Sequence, residues 1–217
     1  MIPWWRAAAL VVLAAAGAGT GAWACRDGGS AREAPVAATE RPDAGGGGAA
    51  AGRGPAATAA SPPVERLRVR VVASYPHDPD AFTQGLLWHD GALYESTGRY
   101  GRSSLRLVDL ATGVPQVQVP LPRDLFAEGL ALAHGRLVQL TWLNGRALVW
   151  SLDGLTPVGE HRYRGEGWGL TFDGRSLVMS DGSAVLTFRD PQSFAVERRL
   201  KVRLEGRPLR ALNELEW

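Results

Sequence analysis

The sequence predicts an all-β protein of the β-propeller type, and two features carry that expectation. From about Arg66 onward, short runs rich in Val, Leu, Tyr and Thr are interrupted by Gly and Asp pairs, and no capped segment of helical period competes with them. Within this region the chain also repeats itself at about forty to forty-five residues with about four short strands per copy, which is the period of a propeller blade.

The elements are justified in chain order. Residues 1–24 have a basic start at Arg6, an apolar run from Ala7, and Ala22-Trp23-Ala24 just before Cys25. This is a secretory signal pattern, read either as cleavage after Ala24, as lipid attachment at Cys25, or as an uncleaved anchor. Residues 25–65 are dominated by Gly, Ala and Pro and include Gly45 to Gly48. Such a tract buries too little to offset its chain entropy, so a flexible tether is expected. The pair implies an exported protein, periplasmic or extracellular, with membrane contact only through its N-terminus.

Residues 66–217 are the expected propeller domain. Leu67 to Val72 alternates as a strand does, Ala92 to Ser96 and Arg136 to Thr141 follow turn glycines, and Ser176 to Ser180 follows Asp173-Gly174. Gly85-Leu86, Gly129-Leu130 and Gly169-Leu170 each precede a turn glycine and a β run centred on Leu93, Leu137 or Leu177. Later strands end at Val108-Asp109-Leu110, Trp150-Ser151-Leu152 and Phe188-Arg189-Asp190. A fourth copy begins near Leu215, so about three and a half blades are expected, which suggests a truncated array with an open edge.

Blades place the start of their first strand beside a shared axis, so one repeat position converges on one small space. Just before the Gly-Leu signature stand Gln84, Glu128 and Trp168, with Asn213 in the fourth copy; two residues earlier stand Phe82, Phe126 and Glu166. Aromatic walls around a few polar groups suit a small-molecule pocket. Polar repeat positions also serve to satisfy turn backbones, and aromatics at strand starts also serve as packing. The chemical variety at equivalent positions favours a site.

Composition narrows the function. With 24 Lys and Arg against 22 Asp and Glu, dispersed along the chain, no nucleic-acid patch is expected. Cys25 is the only cysteine, which excludes an intrachain disulfide or a Cys-rich zinc site. His77, His89, His134 and His161 show no metal-ligand spacing.

Longer strings then carry a resemblance. Tyr75-Pro76-His77-Asp78-Pro79, Ala81 to Leu86, Leu93 to Gly98, Glu128-Gly129, Leu140-Thr141-Trp142, Gly165 to Leu170, Ser180 to Ser183 and Leu212 to Glu216 resemble the plant and bacterial glutaminyl cyclotransferases, from about Val71 to Trp217. The resemblance implies a five-bladed propeller that acts without catalytic zinc. It implies Glu128 as the catalytic carboxylate, with Phe82, Gln84, Phe126, Trp142, Trp168 and Asn213 lining the pocket. Ala127 departs from it, since the family usually has glycine before the glutamate. Family members also continue beyond the point where this chain stops.

The expected reaction converts an N-terminal glutamine to pyroglutamate with release of ammonia, by a monomer acting on peptide or protein substrates. Glu128, its pKa raised by the flanking Phe126 and Trp142, is the expected proton shuttle, and Glu166 is the rival carboxylate. Gln84 and Asn213 are expected to hold the γ-amide or the developing oxyanion, and Trp168 to cover the ring. Glu95, Asp78 and Asp80 read as turn or strand-face residues, and the last two as a conceivable structural calcium site; no other cofactor is expected. Two alternatives stay open: a non-catalytic propeller that binds peptide or carbohydrate through its tryptophans, and an inactive fragment.

Overall fold

A computed structural model describes residues 68–217, so the expected signal segment and the whole of the expected tether lie outside the described residues. Three four-stranded antiparallel sheets follow one another along the chain. The first contains β1 (Thr83–His89), β2 (Ala92–Thr97), β3 (Ser104–Val108) and β4 (Pro115–Pro120). The second contains β5 (Ala127–Ala133), β6 (Arg136–Thr141), β7 (Arg146–Ser151) and β8 (Pro157–Arg162). The third contains β9 (Leu170–Phe172), β10 (Leu177–Met179), β11 (Val185–Arg189) and β12 (Val196–Lys201). Each sheet is a meander in sequence order, the topology of a propeller blade. A small hairpin of β13 (Arg203–Leu204) and β14 (Arg207–Pro208) follows.

Local sequence sets the turns. Asp90-Gly91 and His134-Gly135 join β1 to β2 and β5 to β6 with positive φ at both residues, the two-residue geometry that matches strand twist. Glu205-Gly206 forms a third such turn between β13 and β14, a hairpin that the repeat pattern does not announce.

The cores lie between sheets. Leu105, Leu125, Ala127, Leu130, Leu137 and Trp150 are buried where the first blade meets the second. Leu140, Ala147, Tyr163, Leu170, Leu177 and Phe194 fill the space between the second and third. Strand β6 alternates between the two, with Leu137 in one core and Val138 in the other, so it is buried on both faces. The outermost strands β8 and β12 are almost wholly exposed.

The innermost strands run side by side, β1 against β5 and β5 against β9. The Gly-Leu signature explains why they come so close. A Cβ on Gly85 would stand 2.7 Å from Leu130 N, one on Gly129 would stand 2.5 Å from Leu170 N, and one on Gly169 would stand 2.0 Å from Asn213 O. The chain around Asn213 therefore occupies the fourth inner position although it forms no strand there. The alternating segment at Leu67 to Val72, expected as a strand, is unpaired from Arg68 onward and leaves Val69, Val71 and Val72 exposed. Its period suits a sheet edge, but no strand among the described residues pairs with it.

Candidate active site

The site grows from main-chain bonds within the second blade and between it and the third. Trp142 N donates to Phe126 O at 2.9 Å, Gly167 N donates to Trp142 O at 2.9 Å, and Gly129 N donates to Trp168 O at 2.7 Å. Ser96 Oγ donates to Glu128 O at 2.5 Å, and Ser180 Oγ donates to Asn213 O at 2.7 Å. Ser180 Oγ also accepts from Gly169 N at 2.7 Å. The strand starts that carry the candidate residues are thus fixed before any side chain is considered.

Glu128 is buried, with 5% of its surface exposed. The side-chain amide of Gln84 donates to its Oε2 at 2.5 Å, so the first and second repeat copies meet as expected. Burial pushes the Glu128 carboxyl up to about 8; the Gln84 amide opposes that and the charge of Glu166 adds to it.

Aromatic side chains gather just ahead of β5. Phe126 meets Phe82 edge-on at 6.1 Å, Trp142 at 5.7 Å and Tyr100 at 5.4 Å between ring centroids. Gly98 makes room for this cluster, since a Cβ there would lie 2.3 Å from the Phe126 ring. Tyr100 is about half exposed, and reading the repeat position alone misses it because it sits in the β2–β3 turn.

Glu166 lies on the β8–β9 connection and is half-buried. Its Oε2 accepts from the Trp142 indole at 2.6 Å and from the Trp168 indole at 2.9 Å. The Trp168 and Trp142 N–H groups hold this carboxyl below the usual carboxylate range. The two expected carboxylates are therefore tuned in opposite directions.

Asn213 is placed by its main chain through Ser180, while its exposed side chain has no hydrogen-bond partner among the described residues. The Ala127 methyl is fully buried in the core with Leu105 and Leu125, and it adds to packing there. A depression beside Phe82 is lined by Asp80, Thr97, Arg99, Arg102 and Arg106, and none of Gln84, Glu128, Trp142 or Trp168 lines it.

Glu95 is deeply buried in the first blade, a depth that strand alternation does not reveal. It accepts from Thr83 Oγ1 at 2.6 Å, shares a hydrogen bond with His77 Nε2 at 2.8 Å and lies 3.6 Å from the Arg106 guanidinium. Asp78 is engaged by Arg106 at 2.9 Å and by Asp80 N at 2.9 Å. Among the described residues no group of three or more His, Cys, Asp or Glu is placed to hold a metal ion.

Fold and site together define a class: blade-like β-meanders whose inner strand starts bring a buried carboxyl to an amide side chain, with a cluster of aromatic rings gathered on the residue two places before it. A family model described as glutamine cyclotransferase matches residues 48–217. The chain is 45% identical over 151 residues to a glutaminyl-peptide cyclotransferase of Arabidopsis thaliana, across 69% of this chain and 47% of that relative. It also superposes on the crystal structure of Myxococcus xanthus glutaminyl cyclase with a TM-score of 0.63 and 41% identity, covering 67% of this chain and 61% of that one. The chain thus spans less than two thirds of either relative. It belongs to the glutamine cyclotransferase family.

Proposed function

We propose that this protein is a glutaminyl-peptide cyclotransferase, closing an N-terminal glutamine of a peptide into pyroglutamate and releasing ammonia. The observation that carries the reading is Glu128: a buried carboxyl raised to about 8, given one amide donor, and set among the inner strand starts. A carboxyl near 8 is matched to the proton it has to move, because an unperturbed α-amine also titrates at about 7.7–8.0.

In the step, the substrate's α-nitrogen bonds to its own γ-amide carbon and the bond from that carbon to the amide nitrogen breaks. The α-ammonium first gives up one proton to solvent; the ionised form of Glu128 then takes the proton lost by the attacking nitrogen and returns it to the departing nitrogen, which leaves as ammonia, so the carboxylate ends as it began. Holding the glutamine folded supplies the remainder, since the two reacting groups already belong to one residue. Gln84, Phe82, Phe126, Trp142, Glu166, Trp168 and Asn213 line the pocket in this reading. Gln84 is the amide best placed to act on the γ-carboxamide or its oxyanion, because it already touches Glu128. No step calls for a metal or cofactor. The segment before the domain exports the chain and tethers it, by Cys25 acylation or an uncleaved anchor, if it remains attached, and the enzyme acts as a monomer on peptides outside the cytoplasm.

Incubating the purified full chain with a Gln-initiated peptide is expected to release one ammonia per pyroglutamyl product, followed by coupled ammonia detection and mass spectrometry. Absence of both products, with the peptide still bound, would replace catalysis by a binding role.

A further inference from the structure

Every substrate of the proposed reaction shares one charge, that of its N-terminal ammonium, and a pocket selective for peptide N-termini needs an anion to meet it. Glu128 is unsuited to that part, since burial keeps it protonated up to about pH 8. Glu166 has the opposite character.

Both indole N–H groups bond the same oxygen of Glu166, Oε2, at 2.6 and 2.9 Å. Its Oε1 has no hydrogen-bond partner, and no Lys, Arg or His lies within ion-pair distance, among the described residues. The carboxylate is therefore oriented without being neutralised. The donors are the N–H groups at the ring edges of Trp142 and Trp168, so the two bonds fix where the carboxylate stands and leave its charge to meet a substrate ammonium by a charge-assisted hydrogen bond. The same indoles tie Glu166 to the reacting end of the site: Trp142 is in edge contact with Phe126, and Trp168 O accepts from Gly129 N, the residue after Glu128.

We propose that Glu166 is the docking anion for the substrate's α-ammonium, with Oε1 as its acceptor and Trp142 and Trp168 as positioning residues that aim it. This rests on the cyclotransferase reading for the nature of the substrate and adds to it the group that selects a free N-terminus. Glu128 keeps the proton-transfer role, and the peptide beyond the first residue needs no charge.

The test uses two inert peptides, so that binding is read without turnover: one starting with norleucine, the other its hexanoyl counterpart, identical except that the α-amine is absent. Calorimetry on the full chain is expected to show the amine-bearing peptide bound roughly 10- to 100-fold more tightly by the wild type, the worth of a charge-assisted hydrogen bond. Glu166→Gln should reduce that preference to within about threefold, Glu166→Asp should keep most of it, and Glu128→Gln should leave it in place. Equal binding of the two peptides by the wild type overturns the proposal without any variant. A preference that survives Glu166→Gln, or one that disappears in Glu128→Gln, also overturns it. If a Gln-initiated peptide yields no ammonia while the Glu166-dependent preference persists, the cyclase reading falls and the ammonium site stands.

Discussion

Glu95 and Glu128 are the same residue type at nearly the same depth, with 1% and 5% of their surfaces exposed, yet their surroundings differ completely. Glu95 has a hydroxyl, an imidazole and a guanidinium around it, while Glu128 has one amide and the added repulsion of Glu166. A buried carboxyl with full compensation is scaffold: it fixes the 77–83 segment against β2 and β3. A buried carboxyl denied a cation is held near its protonation midpoint, which is the state in which a proton can be both taken and given.

The sharpest way to break this contrast is Glu128→Gln, which keeps shape and removes the titratable group. It is expected to lower ammonia release by at least about 100-fold, with the folded state retained by circular dichroism; a rate within tenfold of wild type would move the proton shuttle to another group. Glu95→Ala is expected to do the reverse. Taking the shared acceptor from Thr83 and His77, while Arg106 keeps Asp78, should cost about 2 kcal/mol in urea unfolding, while the rate per folded molecule stays close to wild type. Loss of activity at unchanged stability would erase the distinction between the two sites.

The same contrast predicts how stability responds to pH. The folded protein holds the Glu128 proton up to about pH 8, whereas the unfolded chain gives it up near 4.5. Between those values the folded state binds more protons, so this group makes stability fall as pH rises through that window. Melting curves should show the fall in wild type and a flatter profile in Glu128→Gln; parallel profiles would mean that Glu128 ionises normally. The smallest effect is expected from Ser96→Ala, which removes the hydroxyl bonded to Glu128 O and should cost about 1 kcal/mol in the same unfolding experiment.

How much of this could be read from the chain varies with the kind of contact. The Gly-Leu repeat announced the blades and brought Gln84 to Glu128, because a strand start at a fixed repeat position has one place to go. Residues in turns escaped that logic: Tyr100 reaches Phe126 from a β2–β3 turn whose conformation no periodicity specifies. The Glu95 network escaped for another reason, since alternation reports which side a residue faces but not whether the chain before β1 folds back over it. Ser96 and Ser180 were legible in principle, each standing eleven residues after its repeat glycine, while the second copy has Leu140 at that offset and Gly129 bonds Trp168 O directly. The alternating stretch from Leu67 was misleading because period alone does not supply a partner.

The missing side chain at residue 129 has a mechanical consequence. With a Cβ there 2.5 Å from Leu170 N and 2.6 Å from Trp168 O, a single methyl would act as a wedge between the second and third blades, one residue along from the buried Glu128. The acidity of Glu128 depends on how tightly its neighbours exclude water, so blade spacing and proton affinity form one adjustable quantity. A family member that widened this seam by one carbon would retune its working pH without changing any residue that touches substrate.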